Sequence, residues 1–160
     1  MKRSLVRAVL LAVVFSVVGV AAGQALAQGP IKIGAVLAAT GPAAFIGEPE
    51  RKAILLLQEQ INQSGGVNGR PIEVVIYDSE GDPTKAVSAT KRLIEVDNVV
   101  AVLGPSTTGE SLAAFPLAER AKVPLISGVG SSALTHPVKP YVYRPVVGND
   151  VVVSKVLGHM

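Results

Sequence analysis

Short apolar strands alternating with amphipathic helices predict an α/β protein, with a doubly wound parallel sheet held between two helical layers. Three observations carry that prediction. Strand–helix–strand units follow one another three times between Ile31 and Ser127. The strands read as almost continuous Ile and Val, as sheets covered on both faces do. Crossovers of this kind are right-handed and leave the strands parallel.

The chain opens with Lys2, Arg3 and Arg7, a small-and-apolar run from Ala8 to Val20 broken by Ser16, and Ala25-Leu26-Ala27. This is the pattern of an export signal over residues 1–27, cleaved after Ala27. The alternative is a membrane anchor, against which Gly19, Gly23 and Gln24 dilute the end of the apolar run. No Cys follows the cleavage point, so a lipid anchor is excluded. About 133 residues then remain, enough for one core of ordinary domain size without disulfides.

After the leader, Ile31–Leu37 is a strand, followed by a Gly/Pro loop through Gly47. A helix is expected from about Glu48 to Ser64, with Ala53, Leu56, Leu57, Gln60 and Ile61 on one stripe, and Gly65-Gly66 stops it. Asn68-Gly69 turns the chain into a second strand, Ile72–Tyr77. Asp82-Pro83 starts the next helix, with Asp as cap and Pro in the first turn. The third strand is Val99–Leu103, and the third helix runs from about Gly109 to Ala121, where Pro116 is expected to kink or interrupt it. Val123–Ser127 and Tyr141–Arg144 are the last strands, and a final helix begins near Asn149 or Asp150.

Charge excludes one class of partner. Three of the fifteen basic residues lie in the leader, so the mature chain carries twelve Lys+Arg against twelve Asp+Glu. Without a basic excess and with only three Tyr, three Phe and no Trp, nothing supports nucleic-acid binding.

Ligands of such sheets lie at the carboxyl ends of the strands. Two loops there are polar and small. Gly104-Pro105-Ser106-Thr107-Thr108-Gly109 leads into a helix N-terminus, where unpaired N–H groups and the helix dipole attract an anion. Gly128 to Ser132 follows the next strand. Ser and Thr at such positions also cap helices without any ligand, and that reading stays open for Ser106-Thr107-Thr108.

Other chemistry fails on its own requirements. The Gly104/Gly109 spacing matches a phosphate-binding loop, but Glu110 stands where a Lys is needed. Gly128-x-Gly130 loosely fits a dinucleotide fingerprint, yet Pro137 and Pro140 forbid the long helix that must follow. Ser131, His136 and Asp150 could be written as a triad, but no nucleophile elbow presents a serine. His136 and His159 are isolated and make no metal set. Asp78, Glu80 and Asp82 lack the later Glu of a calcium loop and read as a solvated turn with a helix cap. No enzyme activity and no cofactor are expected.

Several segments in order carry a family resemblance: Ile31-Lys32-Ile33-Gly34, Thr40 to Gly47, Ile61-Asn62-Gln63-Ser64-Gly65-Gly66-Val67-Asn68-Gly69-Arg70, Tyr77-Asp78, Asp82-Pro83, Leu103-Gly104-Pro105 and Val123 to Ser127. Together they resemble the leucine/isoleucine/valine-type periplasmic binding proteins of ABC importers. The resemblance implies the amino-terminal lobe of a type I, two-lobed hinged receptor, partial over residues 28–160 and truncated before a second lobe. It implies a periplasmic location and two partners, a small-molecule ligand (an amino acid, of branched-chain type first, or a related carboxylate or amide) and an inner-membrane ABC permease. Ligand contacts are implied at Ser106, Thr107 and Thr108, with Thr108 on the carboxylate. The backbone of Val129 would face the ammonium, and Ser131 would contribute its hydroxyl. Ile46, with Phe45 before it, stands where many members place an aromatic residue beside the ligand. Gly81 and Thr107 occupy the positions of a disulfide found in some members. A ligand-sensing module with the same fold is the alternative function.

Overall fold

The structure is a computed structural model that describes residues 29–159; the leader lies outside them. Five strands, β1 (Ile31–Leu37), β2 (Ile72–Asp78), β3 (Val102–Leu103), β4 (Leu125–Ile126) and β5 (Val142–Tyr143), form one sheet in the order β2-β1-β3-β4-β5. Every pair is parallel, from the seven-residue register of β1 and β2, Ile31 opposite Ile72 to Leu37 opposite Asp78, to the short pair of β4 and β5. The helices are α1 (Ala44–Gln63), α2 (Pro83–Glu95), α3 (Thr108–Ala121) and α4 (Asn149–Leu157). This is the doubly wound α/β arrangement the sequence predicts.

Alternation along the strands assigns the faces. A methyl group on Gly34 would meet Leu93 of α2, so Gly34 and Val36 look toward α2. There Val36, Ala86, Leu93, Val99 and Val102 make one buried cluster. Ile33, Val74 and Leu103 look the other way, toward Ile54, Gln58 and Ile61 of α1. A second cluster, Ala118, Leu125, Val129, Leu134 and Val142, seats α3 on the β5 side of the sheet.

The structure corrects four expectations. First, α1 begins at Ala44, a turn before Glu48, because Gly47 lets its first turn press on the backbone of Ala38. Second, the sheet-facing stripe of α1 is rotated. Leu56 and Leu57 are each 55% exposed, whereas Gly47, Glu50, Ile54, Gln58 and Ile61 are more covered. Leu55, Leu56 and Leu57 are consecutive and cannot all face one way. Third, α3 is not interrupted at Pro116, which sits inside the helix on an exposed position. Fourth, β3, β4 and β5 are two-residue strands, shorter than expected. Val99 still enters the core from a loop, and Val100 N–H reaches Lys32 O at 2.9 Å.

Candidate functional site

The loop after β3 is held in place before α3 begins. Gly104 adopts φ +86°, and a Cβ there would lie 2.2 Å from Val36 O, so the loop runs directly against β1. Its N–H also donates to Ile126 O at 2.8 Å. The three following hydroxyl residues then part company. Ser106 is 8% exposed; its Oγ accepts from Ala38 N–H at 3.1 Å and donates to Glu50 Oε2. Thr107 caps α3 in a capping box, its Oγ1 accepting from Glu110 N–H at 3.4 Å and donating to Glu110 Oε2 at 2.6 Å, with Thr107 N–H at 3.0 Å from the same oxygen.

Thr108, first in the helix, is half-buried, and its hydroxyl has no partner among the described residues. The N–H groups of Thr108 and Gly109 likewise lack an acceptor there, as the first donors of a helix do. One free hydroxyl and two free amides therefore point out of a helix start, which is the chemistry of an anion cradle.

The neighbouring loop is tied to this one through buried serines. Ser111 Oγ reaches Pro105 O at 3.0 Å and Ser127 Oγ at 2.9 Å, and Ser127 Oγ reaches Pro105 O at 2.9 Å. Two protons serve three oxygen contacts, which locks the ends of β3 and β4 together. Beyond Ser127, Val129 is 6% exposed with its side chain in the second core cluster, so only its backbone can face a solute. Gly130 O accepts from Arg144 Nη1 at 2.7 Å and Asn149 N–H at 2.9 Å, which clasps the loop from the far side. Ser131 precedes a single 3₁₀ turn, Ser132–Leu134, and its hydroxyl makes no capping bond.

Phe45 and Ile46 sit in the first turn of α1 at the same end of the sheet. Phe45 is 78% exposed and Ile46 half-buried. The loop between β1 and α1 is fastened by Asp78, whose Oδ1 accepts from Ala39 N–H at 3.1 Å, Thr40 N–H at 3.3 Å and Glu80 N–H at 2.9 Å. Its Oδ2 accepts from Thr40 Oγ1 at 2.6 Å. Partial burial pushes the Asp78 carboxyl up, but these hydrogen bonds together outweigh it and hold the carboxyl below its ordinary value. Asp82 caps α2 through Thr84 and Lys85 N–H at 2.7 and 2.9 Å. The acidic run after β2 is thus spent on turn and cap.

All seven residues singled out from the sequence lie at the carboxyl end of the sheet, but they differ in what they can offer. Ser106 and Thr107 have committed their hydroxyl protons to carboxylates, while Thr108 and Ser131 keep theirs free. A hollow of about 250 Å³ opens at the same end of the sheet, lined by Glu50, Ala53 and Ile54 of α1 and by Leu37, Leu103, Gly104, Ile126 and Gly128 among the strand ends. A larger hollow of about 480 Å³ lies between Lys91, Glu95 and Arg120, at the opposite ends of α2 and α3.

Sequence reasoning missed Glu50, Glu110, Ser111 and Ser127. Thr107-x-x-Glu110 does spell a capping box, a readable local signal. Glu110 is fully buried, and its second oxygen, Oε1, has no partner among the described residues. Nothing local marks Ser111 and Ser127, whose pairing joins residues sixteen apart. Among the described residues no His/Cys/Asp/Glu group could hold a metal ion, and no helix is long and apolar enough to cross a membrane.

The parallel sheet gathers these loops at its carboxyl end, where the ligands of such sheets lie. The chain belongs to the periplasmic binding protein family, whose profile matches residues 30–160. It is 33% identical over 133 residues to Leu/Ile/Val-binding protein homolog 7 of Brucella abortus, covering 82% of this chain and 33% of that protein. Over 83 residues it is 41% identical to the leucine-, isoleucine-, valine-, threonine-, and alanine-binding protein of Pseudomonas aeruginosa, covering 52% of this chain and 22% of that one.

Among solved structures it resembles LivJ of Streptococcus pneumoniae in complex with isoleucine, at 36% identity and TM-score 0.72, covering 74% of this chain and 34% of that one. It also resembles a solute binding protein of an ABC transporter from Rhodopseudomonas palustris in complex with 3,4-dihydroxy benzoic acid, at 33% identity and TM-score 0.67, covering 76% and 33%. The chain thus spans about a third of the length of the first of these curated relatives.

Proposed function

We propose that this chain binds a small amino acid in the periplasm for an ABC import system, with branched aliphatic side chains favoured, and carries out no reaction on it. Residues 1–27 export it, and an inner-membrane permease receives its solute. The observation that carries the reading is the free Thr108 hydroxyl with the free N–H groups of Thr108 and Gly109 at the start of α3. A carboxylate there gains charge-assisted hydrogen bonds, each about 1.5–3 kcal/mol. The Ser131 hydroxyl and the backbone at Val129 would take the other end of the solute. Supporting this, two of the relatives carry branched-chain amino acids in their names, and one structural neighbour holds isoleucine.

Thr108→Val keeps the shape of the side chain and removes its hydroxyl. Titration calorimetry with leucine should show affinity reduced at least several-fold, in keeping with one lost charge-assisted bond. Unchanged affinity would remove Thr108 from the site.

A further inference from the structure

Among the described residues, Glu50 is the carboxylate that lines the hollow between the two loops without a role assigned to it. We propose that Glu50 selects solutes by charge, favouring those whose carboxylate is balanced by a cationic amine over bare carboxylates of the same shape. The inference rests on the reading of the site given above and assigns its preference for the amine-bearing form to one residue.

Geometry places the charge. Glu50 Oε2 accepts from the Ser106 hydroxyl, two residues before Thr108. The same side chain lines the 250 Å³ hollow together with Gly104 and Gly128, so it stands between the loops that follow β3 and β4. The rest of that wall is aliphatic, with Leu37, Ile54 and Leu103.

Its charge is also uncompensated. The two basic residues that follow it turn to Glu48 instead, Arg51 at 2.7 Å and Lys52 at 3.5 Å. No ion pair to Glu50 exists among the described residues. Because Ser106 donates its proton to Glu50, that hydroxyl cannot also donate to a solute carboxylate. The solute's negative end is thereby directed to Thr108 and the helix amides, with Glu50 facing whatever lies beside it. An unpaired carboxylate against aliphatic walls is screened less than one on open surface, so it acts over several ångströms. An ammonium is attracted there, and a net negative solute is repelled.

The test compares leucine with 4-methylpentanoate, which has the same carbon skeleton without the amine, by titration calorimetry on wild type, Glu50→Gln and Glu50→Asp. Wild type should prefer leucine. Glu50→Gln still accepts the Ser106 hydrogen bond but carries no charge, and it should shrink the preference about tenfold. Glu50→Asp should keep most of it. An unchanged preference in Glu50→Gln overturns the proposal. So does an equal loss of both ligands, which would make Glu50 only a brace for the loop.

Should Glu50→Gln not fold, wild type decides alone. The preference must narrow as sodium chloride is raised, and a salt-independent ratio overturns the proposal. If wild type binds neither compound, the amino-acid reading itself fails and this inference with it. If it binds both equally, only the inference fails.

Discussion

A methyl group at position 47 would stand 2.3 Å from the carbonyl carbon and oxygen of Ala38, closer than any side chain is tolerated. Gly47 lies inside α1, where helix propensity alone favours Ala by about 1 kcal/mol. The two effects have opposite sign, so Gly47→Ala separates them. Overpacking of this kind costs about 1–3 kcal/mol or more, and the net change should be a loss of stability. A denaturant midpoint equal to or above that of the wild type would show that the contact relaxes freely. Ser106 and Thr107 make a related point about single residues. Their hydroxyls stand beside that of Thr108 in the sequence; the capping-box spacing to Glu110 sets Thr107 apart locally, whereas Ser106 is set apart only by Glu50, far away in the chain.

The edge strand β2 is where one element depends on another. In a parallel sheet alternate residues of an edge strand turn their N–H and C=O outward, a standing invitation to pairing with another chain. Here α1 answers them. Asn62 donates to Ile72 O at 2.9 Å and accepts from Ile72 N–H at 2.7 Å, and Gln58 accepts from Val74 N–H at 2.6 Å. Two amide side chains one turn apart on α1 therefore cover the amino-terminal half of the edge. Asn62→Ala releases both groups of Ile72 and should cost about 1–2 kcal/mol. Amide exchange at Ile72 should accelerate, measured by NMR, and unchanged exchange would show that Asn62 is not what protects the edge. The same helix shows why apolar periodicity misplaces its sheet-facing stripe. Counting hydrophobic residues selects Leu56 and Leu57, whereas Gln58 and Asn62 face the sheet for hydrogen bonding.

For the whole molecule, acid is the natural probe, because carboxylates fasten its loops and helix starts. Asp78 knits the loop after β1 to the loop after β2, and Asp82 starts α2. Hydrogen bonds from Lys85 and Thr84 N–H lower the Asp82 carboxyl, and the network at Asp78 lowers that one against its burial. A carboxyl lowered in the folded state binds its proton more readily once unfolded. Its contribution is therefore complete above about pH 4, the ordinary Asp value, and is lost as pH falls through the folded-state value. Thermal melts should hold steady from neutral pH down to that range and then decline. In Asp78→Asn the decline should be shallower, and an identical acid profile would mean that Asp78 does not link folding to pH.

What the sequence determined by itself was the order of elements and the end of the sheet where chemistry belongs. Both are local: runs of Ile and Val, the helix cap at Asp82, the capping-box spacing of Thr107 and Glu110, and glycine turns are written in neighbouring residues. It also brought Thr108 and Ser131 to that end, because loop position follows from strand order. Tertiary structure alone decided that the Ser106 hydroxyl is spent, which face of α1 meets the sheet, and that Glu50 stands beside the loop after β3. Those outcomes depend on contacts between residues such as Glu50 and Ser106, fifty-six apart in the chain, and no pattern of nearby residues encodes the partner at that distance.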